Sequence, residues 1–201
     1  MRSTEITPTV IQPARRQFLK GADVGVLSAA AVGVLAGSPA MAASKVKGKA
    51  AMENDVAILN VALGLEWEGI GTYQLGAESG LLSKGVLPVA VLFQDHHKAH
   101  ADTLVGAIKS LGGTPVAPKS NADYAKVLNA GALKSEADVL ALAAKLEKGA
   151  ANAYIGVIPS FTDSALSQVS ARLAADETMH WTVLAQALGM MLPKEALFFG
   201  A

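Results

Sequence analysis

The chain has 201 residues, 51% of them hydrophobic and only 17% charged, with no cysteine and 17 basic residues matching 17 acidic ones. This length and hydrophobic share argue for one domain with a proper core and against disorder. Zero net charge removes a basic surface as an argument for nucleic acid, and the lack of cysteine excludes disulfides, thiolate metal sites and a thiol nucleophile.

The first segment reads as an address. Ala14-Arg15-Arg16-Gln17-Phe18-Leu19-Lys20 precedes an apolar run from Val24 to Gly37 and then Ser38-Pro39-Ala40-Met41-Ala42-Ala43. A positive stretch, a short apolar stretch and a small-residue cleavage site make the three-part export pattern. The apolar run is shorter than the roughly 20 residues that span a bilayer. Arg15-Arg16 with Phe18-Leu19-Lys20 resembles the twin-arginine signal, which implies the twin-arginine translocation machinery as a partner and a periplasmic or secreted location. A cut after Ala42 removes Arg2, Arg15, Arg16 and Lys20 against Glu5 and Asp23, so the mature domain is mildly acidic. The expected organisation is a cleaved signal over 1–42, a linker over 43–53, a four-helix bundle over 54–192 and a C-terminal tail over 193–201.

Beyond the linker the apolar spacing is helical throughout, and no stretch alternates with period two. The first helix is predicted over about 54–79, closed by Gly80. The second opens near Pro88 and ends at Gly112-Gly113. A long connection over 113–135 holds one short helix around 121–130. The third starts after Ser135 as N-cap and ends near Pro159; the fourth runs from about Asp163 to Gly189, with Pro193 beyond. Two helical hairpins joined by a long crossover give an all-α, ferritin-like four-helix bundle.

The hairpins repeat each other. Leu65-Glu66 with Tyr73 in the first helix matches Leu146-Glu147 with Tyr154 in the third, at an offset of 81. His97-x-x-His100-x-x-x-Leu104 in the second matches Glu177-x-x-His180-x-x-x-Leu184 in the fourth, at an offset of 80. These polar residues fall in the apolar stripes: Leu59, Leu63, Glu66, Ile70, Tyr73 in one helix; Leu166, Val169, Leu173, Glu177, His180, Leu184 in another. An isolated buried carboxylate costs several kcal/mol unless paired or metal-bound. Arg172 is the mature chain's one arginine, and no lysine falls in these stripes. Glutamates and histidines converging in a bundle core suit iron, manganese or zinc.

These motifs resemble the ferritin-like superfamily, in particular the exported ferritin-like domain proteins of bacteria, over about 54–190. The resemblance implies Glu66, His100, Glu147, Glu177 and His180 as metal ligands. It departs at His97, where the family has glutamate. That lowers the negative charge of the site and leaves open a one-metal site, an asymmetric pair, or manganese, zinc or copper in place of two iron ions. His97 is taken as the sixth ligand, with His96 as its rival for the position. Tyr73 and Tyr154 are core aromatics that can hydrogen-bond to ligands. Glu68 is expected to be solvated, Trp67 and Trp181 to be packing residues, and Met190-Met191 to pack at a helix end. The implied activity is di-metal redox chemistry, ferrous oxidation or peroxide removal with oxygen or hydrogen peroxide as small oxidants, in stress protection. The alternatives are a non-catalytic metal-binding or sequestering protein, and a structural stress protein with a degenerate site. The sequence leaves a homo-oligomer open.

Overall fold

The computed structural model describes residues 48–200, so the expected signal and cleavage site lie outside the described residues. Five α-helices and two 3-10 turns, at Ala130–Ala132 and Ile158–Ser160, make up the described secondary structure, with no strand among those residues. We number the helices α1 (Lys49–Glu78), α2 (Leu87–Ser110), α3 (Asn121–Val127), α4 (Glu136–Val157) and α5 (Ser164–Ala187). Among the described residues no helix is long and apolar enough to cross a membrane.

Helix α1 takes in residues 49–53, which the sequence reading placed in the linker. Lys49-Ala50-Ala51-Met52-Glu53 are all strong helix formers, and Ala51 is already buried. Three of the four later starts are set by caps, and α2 opens instead on Pro88 in its first turn. Ser120, Ser135 and Asp163 accept backbone N–H bonds from Asp123, Asp138 and Ala165, the orphan donors of a helix's first turn.

The two hairpins end alike. Gly112 and Gly189 sit at φ 76° and 69°, where a Cβ would be strained. After each, one N–H reaches back five residues, Gly113 to Ile108 O at 2.9 Å and Met190 to Ala185 O at 2.9 Å. This is the same Schellman closure at equivalent positions.

Helices α1 and α2 pack as one hairpin, α4 and α5 as the other, and α1 meets α4. The crossover lays α3 on α1, where Tyr124 sits 2.5 Å from the place of a Gly71 Cβ. One apolar cluster, with Leu59, Leu63, Leu104, Ile108 and Leu173, closes one end of the bundle. A second, with Tyr73, Phe93, Leu140, Trp181 and Leu184, closes the other. Each fully buried leucine contributes about 1.5–3 kcal/mol. The tail joins in: Phe198 and Phe199 pack on Trp181. Met191, expected to pack, is 87% exposed because the chain turns away after Gly189. Asp55 is buried at the start of α1 and accepts bonds from Thr162 N at 3.0 Å and Oγ1 at 2.6 Å, tying the α4–α5 turn to the first helix.

Candidate metal centre

Between the two apolar clusters lie six polar side chains. Glu66, Glu147, Glu177, His97, His100 and His180 are all buried, Glu177 and His180 completely. Helical spacing puts them there: each occupies a stripe position flanked by core residues a turn away on both sides. They form two overlapping groups, Glu66–His97–His100–Glu177 and His97–Glu147–Glu177–His180, each with ligand-type atoms within 4.8 Å of one another.

His97 and Glu177 belong to both groups. His97 Nδ1 lies 2.7 Å from Glu66 Oε2 and its Nε2 lies 3.3 Å from Glu147 Oε1, so the ring spans the cluster. Gly69 allows this, since a Cβ there would meet that ring at 2.9 Å. Glu177 turns Oε1 to His100 Nδ1 at 3.1 Å and Oε2 to His180 Nδ1 at 3.5 Å.

The residues fit a metal on one observation. Glu147 Oε2, Glu177 Oε2 and His180 Nδ1 are buried and make no hydrogen bond of good geometry; the nitrogen faces the two oxygens at 3.4 and 3.5 Å, and all three belong to the second group. Orphaned buried polar atoms are costly and rare. Two carboxylate oxygens and an imidazole nitrogen facing one another are a donor set for a divalent transition ion.

Hydrogen bonds around the cluster cross from one hairpin to the other. Tyr73 of α1 donates to Glu147 of α4, and Tyr154 of α4 donates to Glu66 of α1. Burial and these carboxylates hold both phenols well above their ordinary range, so they stay protonated donors. On the outer side, His100 Nε2 meets Asp176 Oδ2 at 3.2 Å and His180 Nε2 meets His96 Nδ1 at 2.9 Å. His96 is thus in neither group but against the back of a group member. The sequence reading passed over Asp176, although it precedes Glu177 as His96 precedes His97. Phe93 of α2 stacks its ring on His180, with centroids 4.1 Å apart.

Burial opposes charge on every member, and the neighbours decide the outcome. Burial would raise Glu66, yet its bonds from His100 and His97 bring it down to about 2. Burial would lower His97 and His100, but the facing glutamates raise His97 well above its usual range and His100 to about 10. Burial and contact with Glu147 push Glu177 up to about 7. Free of metal, the cluster is a nest of imidazolium–carboxylate pairs.

Glu68 departs from expectation. It is half-buried, burial pushes its carboxyl up to about 7, and Oε1 has no partner. Trp67 is half-buried and donates to Val116 O at 3.0 Å, fastening the crossover to α1.

An all-helical bundle with a buried glutamate–histidine cluster that could hold metal is the class that fold and site define. The ferritin-like domain family model matches residues 54–190, and the chain belongs to that family. The fold is similar to the crystal structure of a conserved hypothetical protein, rv2844, from Mycobacterium tuberculosis. The TM-score is 0.58 at 19% identity, covering 75% of this chain and 99% of that one. No curated protein matches.

Proposed function

We propose that the protein is an exported metal-binding bundle that holds two transition-metal ions, iron first, in the overlapping groups, and uses them in redox chemistry on oxygen or hydrogen peroxide. The observation that carries this reading is the convergence of Glu147 Oε2, Glu177 Oε2 and His180 Nδ1, facing one another without a hydrogen bond in a core capped by apolar clusters at both ends. Glu66 and His100 serve one position, Glu147 and His180 the other, and Glu177 and His97 face both. Bound metal ions would supply one-electron redox steps and Lewis acidity. The chain's own residues orient the carboxylates through Tyr73 and Tyr154, fix the imidazoles through Asp176 and His96, and keep bulk water out.

A second reading, metal sequestration without turnover, draws support from His97. With three imidazoles facing three carboxylates, the metal-free core is close to charge balance, and a divalent ion displaces protons more than it relieves repulsion. Export rests on the sequence of residues 14–42 alone; Arg15→Lys with Arg16→Lys blocks it if the twin-arginine route is used.

Metal analysis of protein prepared without chelator, alongside Glu177→Ala, tests the central reading. Two equivalents of iron with peroxide consumption support the redox function, and bound metal without turnover supports sequestration. Metal-free protein whose stability is unchanged or improved by Glu177→Ala overturns both.

A further inference from the structure

Polar groups lead outward from the cluster on the flank between α1 and α4. A narrow cavity of about 20 Å³ between α1 and α4 has His97 and Glu147 on its inner wall, Thr72, Leu146 and Ala150 along it, and Glu68 beside them. That volume suits about one water-sized occupant. The opposite flank, between α2 and α5, is spanned by the His96–His180 and His100–Asp176 contacts. A larger cavity of about 100 Å³ near Tyr73 and Phe93 has no charged side chain in its lining, and a cation leaving water finds nothing there to replace its hydration.

We infer that the passage between α1 and α4 is the route by which divalent cations reach the buried cluster, with the Glu68 carboxylate as their first protein ligand. The inference rests on the metal-binding reading and adds to it a site outside the six buried residues. Glu68 has the chemistry for the role. Its Oε1 is shielded yet unpartnered, and its one neighbouring cation, Lys119, is exposed and forms no ion pair with it among the described residues. An ionised carboxylate beside a low-dielectric cleft raises the local cation concentration and the rate of capture. Gly69, next in sequence, keeps α1 free of a side chain where His97 approaches the passage.

A capture group of this kind lowers the barrier to passage without belonging to the final site, so it speeds uptake and release equally. The test is stopped-flow uptake of cobalt(II) by the metal-free protein, followed by its visible absorption. Glu68→Gln should slow uptake about tenfold while final cobalt content and equilibrium affinity stay at wild-type values. Glu68→Asp should restore most of the rate, Lys119→Ala should raise it, and Leu146→Phe should slow it by narrowing the passage. Unchanged uptake in Glu68→Gln and Leu146→Phe overturns the route. Reduced final content in Glu68→Gln overturns the capture role by making Glu68 a ligand of the final site. A wild-type protein that takes up no cobalt fails on the metal reading itself, a result distinct from a change in rate.

Discussion

His96 Nδ1 and His180 Nε2 stand 2.9 Å apart, so the far side of His180 is completed by an imidazole where its counterpart His100 has the Asp176 carboxylate. Burial and the nearby His180 and His100 lower the His96 pKa, keeping it neutral and able to accept the His180 N–H. An imidazole acceptor makes His180 a weaker donor to metal than His100 with its carboxylate. The two halves of the cluster are therefore unequal by construction.

That inequality is measurable by calorimetric titration with cobalt(II) or zinc. His96→Ala should lower affinity at one of two sites by about 10–100-fold, and Asp176→Ala should do so at the other. Equal losses at both sites in either variant would contradict the assignment. His96→Asp should bring the two affinities together.

Restoring a carboxylate at the departing position should separate stability from metal affinity. His97→Glu places a fourth buried carboxylate beside Glu66, Glu147 and Glu177 and removes an imidazolium that neutralises them. The metal-free protein should lose about 3–5 kcal/mol in denaturant unfolding, while divalent-ion affinity rises. A metal-free variant as stable as the parent would show that His97 is not the counter-charge.

Tyr73→Phe and Tyr154→Phe each remove a donor from a buried carboxylate of the opposite hairpin. Each should cost about 1.5–3 kcal/mol, the range for bonds to charged groups. Because the two bonds join the same pair of helices, the double variant should depart from additivity in a double-mutant cycle.

Three groups illustrate the pH dependence of the metal-free protein, and His97 and Glu68, also raised, act in the same sense as His100 and Glu177. His100 titrates near 10 rather than 6.5, so its contribution is full below about pH 6.5 and is lost as pH rises through 10. Glu177, raised from 4.5 to about 7, likewise favours folding at low pH and loses that contribution through pH 7. Glu66, lowered from 4.5 to about 2, contributes above pH 4.5 and loses its share as pH falls through 2. Thermal melts should therefore show the highest Tm near pH 5 and a steady fall toward pH 10. Metal affinity should run the other way, rising with pH as protons leave the imidazoles. A metal-free Tm that climbs from pH 5 to pH 9.5 would contradict this charge arrangement.

Much of this was legible in the sequence because the signals are local. Helical periodicity, Ser135 and Asp163 as caps and the two Gly closures sit within a turn of the features they specify. The offsets of 80 and 81 between the hairpins put Glu66, His97, His100 and their counterparts on inward faces, where the structure places them. What the sequence did not reveal depends on contacts between hairpins. The side chain of Glu68 points well away from Glu66, yet the crossover segment and α4 half-bury it, so its own stripe did not signal its burial. His96 and Asp176 look like solvated neighbours of the stripe until α2 and α5 are set side by side. The early start of α1 reflects propensity overriding a composition-based linker.

The crossed hydrogen bonds bear on how the molecule is made as well as on what it holds. Tyr73 supports Glu147, Tyr154 supports Glu66, His96 backs His180 and Asp176 backs His100, so each half of the chain carries the braces for the other half's ligands. A lone hairpin keeps three of the six ligand-type side chains but lacks the braces that the other half supplies. The full set of braced ligands is thus assembled only when the two hairpins dock across the crossover.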